Sequence, residues 1–376
     1  MPESVDYLIV GSGLTGGTLA RLLSDVGREV LVLDRRKHLG GNVYDEVHSS
    51  GIRFHTYGPH LFRTNSKGIW EFVNRFAEFY EYIHQVSTLV DGRYETWPIT
   101  TDTLLRIAGE QWEPGFLGSP SNFEEASLRM MPRIVYEKFV RGYTIKQWGV
   151  DPKTLAAQLA KRFDVREEGD RRFSRHRFQG LPRKGYANLI ANLLSGISVR
   201  TGVDYLQCRS QFHVRKMLIY TGPIDEYYNS ELGKLYYRGQ HRESQYLPNI
   251  NQIQPDSVIN YPGLEDGNLV RQIEWKLMMP KSEQLTITGT LLTTERPVYP
   301  NSPDEYEYPF PDQRNADLYA AYRKRADAED GLIVCGRLGE YRYYDMDHAI
   351  GRALVLAKRK LGLVVSYLDS AAEIEY

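Results

Sequence analysis

Residues 5–34, VDYLIVGSGLTGGTLARLLSDVGREVLVLD, carry the pattern that decides the fold. An apolar run at 5–10 is followed by apolar residues that recur at helical spacing through 14–26. A second apolar run follows at 30–33. Two short, mostly apolar runs on either side of an amphipathic helix predict a βαβ unit, in which helices cover both faces of a parallel sheet.

The turn between the first strand and the helix has the spacing GxGxxG. In this pattern the first glycine makes the turn, the second lets a pyrophosphate approach the backbone, and the third packs the helix on the strand. An acidic residue at the end of the second strand takes a ribose hydroxyl. We therefore predict a dinucleotide site that includes Gly11, Gly13, Leu14, Thr15, Gly16 and Asp34. The alternative is a glycine-rich turn that binds no ligand.

The residues after the second strand favour FAD over NAD. Residues 35–42, RRKHLGGN, place a basic stretch and a glycine pair next to the ribose, so the chain could wrap around an extended dinucleotide. Arg35, Gly41 and Asn42 are the candidates there, and the alternative for the basic stretch is a solvated run of surface charges. The segment 335–339, CGRLG, is a second glycine-rich strand end that would close over the flavin.

Composition excludes several classes of protein. The 376 residues carry 47 Lys and Arg against 48 Asp and Glu, and this net charge of −1 argues against a protein that binds nucleic acid or a membrane surface. No apolar run approaches the ~18–20 residues of a membrane span, and the N-terminus is predicted to be a strand, not a signal peptide. Cys208 and Cys335 offer neither a disulfide framework nor zinc spacing, so we expect no metal and a cytoplasmic location.

Periodicity along the rest of the chain predicts an α/β protein with inserted domains. It predicts helices at 124–136, 153–163 and 346–361, short strands within 197–220 and at 285–288, an ordered loop at 297–312, and a last buried strand at 331–336. We expect a Rossmann-like FAD-binding domain with an inserted helical domain and an antiparallel β-sheet domain. The FAD-binding domain would comprise 1–80, 180–235 and 325–376, the helical domain 100–179, and the sheet domain 81–99 and 236–324.

The chain resembles the prokaryotic UDP-galactopyranose mutases over nearly its whole length, from about residue 7 to about residue 361. Six separated segments carry the resemblance, in the right order: GGNVYDE (40–46), YGPHLFRTN (57–65), NFEEASLR (122–129), GYTIKQWG (142–149), YTGPIDEYY (220–228) and GRLGEYRYYDMD (336–347).

The resemblance implies an isomerase that interconverts pyranose and furanose forms of a nucleotide sugar, with UDP-galactopyranose and UDP-galactofuranose as the expected pair. FAD would act in its reduced form, with flavin N5 attacking the anomeric carbon and displacing UDP. The expected partners are therefore the nucleotide sugar and a reductant such as NAD(P)H or a reductase. The family also suggests a homodimer.

The resemblance also implies a mobile lid within the helical domain, 100–179, and assigns roles to individual residues. Arg162, on the lid, and Arg271 would hold the diphosphate as the anomeric bond breaks, and His60 beside the flavin would be the third catalytic residue, with a charge able to switch near neutral pH. Substrate contacts would come from Phe139, Tyr143, Thr144, Trp148, Phe173, Asn260, Glu295, Tyr308, Tyr343, Asp345 and His84. Cofactor contacts would come also from His60, Arg337, Tyr343, Asp345 and Met346.

Two residues and two segments depart from the family pattern. Val140 stands where a second phenylalanine usually follows Phe139, and Phe173 stands where a phosphate-binding tyrosine is usual. The segments 84–86 and 97–100 also differ from the polar or basic residues that usually lie near the sugar. These departures leave open the same ring-contraction chemistry on another nucleotide or sugar. Two further alternatives are an amine-oxidase-type flavin oxidoreductase and a flavoprotein that binds nucleotide sugars without catalysis.

Overall fold

The computed structural model describes residues 1–162, 165–166 and 169–368, without the side chains of residues 161 and 162. In chain order, the strands of this part are β1 (Glu3–Val10), β2 (Val30–Asp34), β3 (Asp45–Val47), β4 (Arg53–His55), β5 (Phe62–Thr64), β6 (Phe79–Glu81), β7 (Val86–Val90), β8 (Arg93–Trp97), β9 (Phe178–Pro182), β10 (Ser198–Thr201), β11 (Phe212–Tyr220), β12 (Tyr237–Leu247), β13 (Val258–Asn260), β14 (Arg271–Glu274), β15 (Thr290–Val298), β16 (Tyr308–Pro309) and β17 (Leu332–Val334).

The α-helices of the same part of the chain vary from one turn to four. They are α1 (Leu14–Asp25), α2 (Lys67–Asn74), α3 (Thr101–Ala108), α4 (Phe123–Leu128), α5 (Arg133–Tyr136), α6 (Gly142–Trp148), α7 (Tyr186–Leu193), α8 (Tyr205–Cys208), α9 (Ile224–Tyr227), α10 (Lys281–Gln284), α11 (Gln313–Asp327), α12 (Gly336–Gly339) and α13 (Met346–Leu361). A π-helical turn, Glu137–Arg141, joins α5 to α6. Short 3-10 helices lie at Pro152–Thr154, Ala157–Arg162, Arg209–Gln211, Leu264–Asp266, Trp275–Met278 and Pro303–Glu305.

A five-stranded parallel sheet in the order β10-β2-β1-β11-β17 confirms the Rossmann-like expectation. Every residue of β2 is buried, as expected for a strand covered on both faces. Helix α1 packs against α13 on one face, and the apolar positions of both helices enter the largest core. Helix α13 spans the predicted residues and ends at Gly362, whose φ of 64° closes it in the left-handed conformation.

A seven-stranded sheet in the order β16-β12-β15-β14-β13-β7-β8 is the second layer. Its neighbouring strands are antiparallel except for β13 and β7, which run parallel. The strands come from two separated parts of the chain, because β7 and β8 precede the helical segment and the other five strands follow β11. This agrees with an antiparallel sheet inserted into the nucleotide-binding fold.

The helices between β8 and β9 form a third cluster with a core of its own, which includes Leu104, Val135, Phe139 and Trp148. The predicted helix at 124–136 is two helices, α4 and α5, because Pro132 follows a turn and is the N-cap of the second. The predicted helix at 153–163 is two 3-10 segments up to Arg162, and its last residue lies outside the described part.

One other prediction differs from the structure. Residues 285–288 follow the short helix α10 as a turn, and the strand begins at Thr290, so the predicted strand was placed several residues too early. Helix α11, most of which falls in the range 236–324 predicted for the sheet domain, packs on β17 and α9 through buried Tyr322 and Ala326. The domain boundaries stay predictions. None of the helices described here has both the length and the apolar character that crossing a membrane would require.

Candidate active site

A cavity of about 620 Å³ opens where the carboxyl ends of β1 and β2 meet the seven-stranded sheet and the helical cluster. Its lining includes every residue predicted for cofactor binding: Gly11, Gly13, Leu14, Thr15, Gly16, Asp34, Arg35, Gly41, Asn42, His60, Arg337, Tyr343, Asp345 and Met346. It also includes most residues predicted for the substrate: Phe139, Tyr143, Thr144, Trp148, Phe173, Asn260, Arg271, Tyr308 and His84. The fold thus brings both predicted groups to one cavity.

Two predicted residues do not line this cavity in the described part of the chain. Glu295 is fully buried behind the wall, where it contacts Arg271. Arg162 is the last residue of a 3-10 helix, and its side chain lies outside the described residues.

Each of the three glycines in the first turn is favoured there for a different physical reason. Gly11 has a φ of 104°, and a Cβ there would lie 2.0 Å from Thr221 Oγ1. A Cβ on Gly16 would lie 2.0 Å from the Gly11 carbonyl oxygen, so this position permits the close contact of helix and turn. A Cβ on Gly13 would meet only the Gly40 carbonyl oxygen, at 3.9 Å, so this position leaves room for a ligand.

The N-termini of helices α1 and α13 both reach the cavity. Their N-cap residues, Gly13 and Asp345, make no side-chain capping hydrogen bond. Thr15 Oγ1 donates to the Ala349 carbonyl oxygen at 3.2 Å and links the two first turns. The amide groups of a helix N-terminus favour negative charge, so this end of the cavity suits an anionic or diphosphate-containing ligand.

The carboxylate of Asp34 is positioned by backbone amides. Ser12 N donates to Oδ2 at 2.8 Å, and Arg36 N donates to Oδ1 at 2.9 Å. Arg35 forms an ion pair with Asp304, 2.8 Å between Nε and Oδ1, so the basic stretch is held against the proline-rich loop 297–312. This argues against the reading of residues 35–37 as a wholly solvated charge run.

His60 lies on a loop that approaches buried charges closely. Its Nδ1 donates to the Gly58 carbonyl oxygen at 2.8 Å, and its backbone N donates to His55 Nδ1 at 2.9 Å. Burial lowers the pKa of His60 to about 3, and His55 and Arg337 add to the effect. The imidazole is therefore neutral at pH 7, with its proton on Nδ1 and an acceptor lone pair on Nε2. The expected switch of charge near neutral pH was wrong, because burial penalises the cation.

Beneath this loop, four charged side chains form a chain of ion pairs. Arg271 Nε donates to Glu295 Oε2 at 2.6 Å, and Arg242 Nε donates to Glu295 Oε1 at 2.8 Å. Both terminal nitrogens of Arg242 continue to Glu307, at 2.6 and 2.8 Å. Burial alone would raise the pKa of Glu295, but Arg271 and Arg242 outweigh burial and lower it. Arg271 is thus a charged, oriented group at the cavity wall.

A second ion pair lies beside the N-terminus of α13. Arg63 Nη2 donates to Asp345 Oδ2 at 2.8 Å. Burial alone would raise the pKa of Asp345, but the Arg63 charge outweighs it and brings the pKa to about 2. Arg337 donates to the Glu307 carbonyl oxygen at 3.0 Å and lies 5.0 Å from the centre of the Tyr343 ring. Cationic groups therefore surround the middle of the cavity.

Aromatic rings form another part of the cavity wall. The rings of Tyr308 and Tyr343 stack with centroids 5.9 Å apart, and Trp148 meets Tyr308 edge-on at 6.4 Å. Phe139 and Val140 are buried in the helical core and still line the cavity. This wall can hold a planar base or a sugar face, and it carries the hydroxyl groups of Tyr308 and Tyr343.

Sequence reasoning missed several residues that shape the cavity. Arg63 had a signal, because it falls inside the segment YGPHLFRTN that carried the resemblance. Arg242 and Thr88 had none, since each is one polar residue in an ordinary strand pattern, and only strand pairing brings them to this region. His55 and Glu307 likewise depend on tertiary contacts.

Comparisons with known proteins agree with this geometry. The sequence model of the UDP-galactopyranose mutase family matches residues 138–343, more than half of the chain, and that of the NAD(P)-binding Rossmann-like domain matches residues 9–76. A Klebsiella pneumoniae protein named "Probable UDP-galactopyranose mutase" is 32% identical and the match covers 96% of each chain. The dTDP-fucopyranose mutase of Escherichia coli is 33% identical, over 93% of this chain and 97% of that protein.

A solved structure of reduced UDP-galactopyranose mutase has the same fold. It superposes with a TM-score of 0.70 at 14% identity, and covers 98% of this chain and 97% of its own. The matches in sequence extend across both the glycine turn and the charged wall. The chain therefore belongs to the UDP-galactopyranose mutase family.

Proposed function

We propose that this protein is a flavin-dependent isomerase that interconverts the pyranose and furanose forms of a nucleoside-diphosphate sugar. The observation that carries the proposal is the continuity of one cavity, from the glycine turn of a dinucleotide fold to the charged Arg271 and the aromatic wall. A dinucleotide and a second nucleotide-linked ligand could then meet within the same enclosed space. Family membership supports the same reaction.

The residues at the glycine turn fit FAD. The uncapped N-terminus of α1, the space at Gly13 and the buried Asp34 carboxylate suit the pyrophosphate and ribose, while Arg337 and the N-terminus of α13 suit the electron-rich flavin ring. When bound in its reduced form, the flavin supplies the nucleophile that displaces the nucleoside diphosphate from the anomeric carbon.

The protein's own groups act on the leaving diphosphate and on the geometry of the site. Arg271, oriented by Glu295, would stabilise negative charge on the diphosphate as the anomeric bond breaks, and the hydroxyls of Tyr308 and Tyr343 would donate to it without adding charge. His60 Nε2 would accept a hydrogen bond close to the flavin, because Gly58 holds the ring's own proton on Nδ1. Arg162 remains the proposed second diphosphate ligand.

The competing oxidoreductase reading has less support. An amine oxidase needs an apolar cage around its substrate, whereas the middle of this cavity is bordered by Arg63, Arg271 and Arg337.

Two substrates are consistent with the relatives. UDP-galactopyranose follows from the family, and a dTDP-linked sugar follows from the dTDP-fucopyranose mutase of Escherichia coli, which is as similar to this chain as the Klebsiella pneumoniae relative. Val140 in the helical wall and Phe173 beside Arg63 also favour testing more than one nucleotide sugar.

The proposal extends to the protein's cellular setting. We infer a homodimer that receives electrons from NAD(P)H or a reductase in the cytoplasm. Neither Cys208 nor Cys335 forms a disulfide, and Cys335 is fully buried, which agrees with a reducing compartment.

A product assay tests the function. The purified flavoprotein is reduced with dithionite and given UDP-galactofuranose or dTDP-fucofuranose, and the pyranose product is followed by chromatography. We expect conversion with reduced flavin and none with oxidised flavin. A protein that binds and reduces flavin but converts neither sugar would contradict the proposal.

Arg162→Ala tests the lid assignment in the same assay. Losing a guanidinium that binds the diphosphate in the transition state should lower kcat and raise KM together, with kcat falling about 100-fold or more. Lys153→Ala, at an exposed position in the same segment, is the control and should keep full activity. An unchanged rate for Arg162→Ala would refute the assigned role.

A further inference from the structure

The seven-stranded sheet presents two parallel rows of side chains to the cavity. In the first, Thr88 of β7 pairs with Asn260 of β13, which pairs with Arg271 of β14. In the second, Val86 of β7 pairs with Val258 of β13. All five side chains line the cavity. We call these the polar row (Thr88, Asn260, Arg271) and the apolar row (Val86, Val258).

The two rows lie on the same face of the sheet because residues two apart in a strand point to the same side. They are therefore about 7 Å apart along each strand. One sugar ring with its substituents spans such a distance. A sugar whose diphosphate is bound by Arg271 would then contact both rows.

Thr88 has an unsatisfied group at this surface. Its side chain is 1% exposed, and its Oγ1 has no hydrogen-bond partner among the described residues. A buried hydroxyl without a partner is costly to the folded state, so its presence needs an explanation. A sugar hydroxyl bound beside Asn260 would supply the missing partner.

Thr88 needs a hydrogen-bonding partner, whereas the apolar row needs an apolar one. Val86 and Val258 are 4% and 2% exposed, and Pro98, from the segment after β8, lines the cavity next to Trp97, the cross-strand neighbour of Val86. A sugar hydroxyl packed directly on the two valines would lose its hydrogen bonds to water and gain none from either valine. We therefore expect the part of the sugar that lies on this row to be apolar.

The reaction limits which carbon of the sugar can lack its oxygen and so be apolar. C1 carries the diphosphate, and the oxygens on C4 and C5 must both be available, because one closes the furanose ring and the other the pyranose ring. Removing oxygen from C2 or C3 leaves only a ring CH₂. Removing it from C6, the exocyclic carbon, creates a methyl group, which matches the size and character of a valine-lined surface.

We propose that the sugar of the physiological substrate is a 6-deoxyhexose, whose methyl group packs on Val86 and Val258 while Thr88 Oγ1 bonds one of its hydroxyls. This inference rests on the proposed function and narrows its substrate class.

Four nucleotide sugars, in two matched pairs, test the proposal: UDP-galactose with UDP-6-deoxygalactose, and dTDP-galactose with dTDP-6-deoxygalactose. Within each pair only the C6 hydroxyl differs. We expect the reduced holoenzyme to prefer the 6-deoxy sugar by about 10–100-fold in kcat/KM in both pairs, the range for one group in an apolar pocket. Equal rates, or a preference for the 6-hydroxy sugars, would overturn the proposal.

Measurements of binding distinguish a failure of this proposal from a failure of the proposed reaction. The dissociation constants of the four compounds for the oxidised holoenzyme, measured by calorimetry, should rank in the same order. If none of the four is converted, the proposed function fails, and the ranking of the dissociation constants still decides between the 6-deoxy and 6-hydroxy sugars.

Thr88→Val tests the contact with the hydroxyl. The substitution removes an unpartnered hydroxyl and keeps the branched shape, so stability in urea should stay the same or rise while affinity for the 6-deoxy sugar falls about tenfold. Thr88→Ser, which keeps the hydroxyl, should retain the affinity. A Thr88→Val protein with lower stability and unchanged affinity would show that the hydroxyl has only a structural role and would refute the contact.

Discussion

The two ends of the cavity handle negative charge in different ways. At the glycine turn, backbone amides and the N-termini of α1 and α13 provide positive potential. At the sheet end, the guanidinium of Arg271 provides it, and buried Glu295 and Arg242 hold that guanidinium in place. One end is built from backbone geometry and the other from a network of side chains.

This difference has a physical consequence for each end. A backbone site depends on steric space, so a single added methyl group can abolish it. A side-chain site depends on charge balance in a buried environment, so removing one charge leaves others uncompensated. Three buried histidines, His55, His60 and His84, also make the stability of the protein depend on pH.

The largest expected effect is at the charged end. Glu295→Gln removes a buried carboxylate that lies between Arg271 and Arg242, and the free energy of unfolding should fall by about 3–5 kcal/mol. Urea unfolding of the holoprotein measures this. Glu243→Gln, at an exposed ion pair with Arg296, is the control and should have little effect. Equal free energies of unfolding for Glu295→Gln and Glu243→Gln would show that the charged end does not depend on a buried charge balance.

The glycine end should respond to steric bulk. Gly11→Ala places a Cβ at a φ of 104° and 2.0 Å from Thr221 Oγ1, so the turn must open at a cost of about 1–3 kcal/mol or more. We expect the purified protein to carry little flavin, as measured by its absorbance relative to protein. Gly27→Ala, also at a positive φ but with open space around the Cβ, should keep its flavin. Full flavin content in Gly11→Ala would contradict a site made by backbone geometry.

The three buried histidines should make the free energy of unfolding depend on pH. Burial lowers the pKa values of His55, His60 and His84 to about 3, below the ordinary value of 6.5. The unfolded chain therefore binds these protons first, and the stabilisation that is present above about pH 6.5 is lost as the pH falls towards 3. Each histidine contributes a slope of about 1.4 kcal/mol per pH unit in that window.

His55→Gln isolates one of these protons. The slope of unfolding free energy against pH between about 6 and 4.5 should decrease by about 1.4 kcal/mol per unit relative to the parent protein. His213→Gln, on an exposed strand position, serves as the control, and its profile should follow that of the parent. An identical slope in His55→Gln and the parent would show that His55 does not stay neutral in the folded state.

The parts of the molecule that could be predicted share a local origin. The βαβ unit, the glycine turn and helix α13 follow from apolar periodicity and glycine placement within short windows, and each formed as expected. The strand at 285–288 was placed too early because a short alternation of apolar and threonine residues does not distinguish a turn after a short helix from the strand that follows it. The prediction of a helix at 153–163 was wrong for a related reason, since its apolar positions also fit 3-10 turns.

The sequence by itself determined the nucleotide-binding fold and the residues of its glycine turn, because those depend on backbone conformations that only certain residues adopt. Through its motifs it also determined the family. Only the tertiary structure decided that His60 is neutral, that Glu295 lies behind Arg271 instead of in the cavity, and that Thr88 and Val86 face the same space. Those properties depend on burial and on pairing between strands far apart in sequence, which no local pattern encodes.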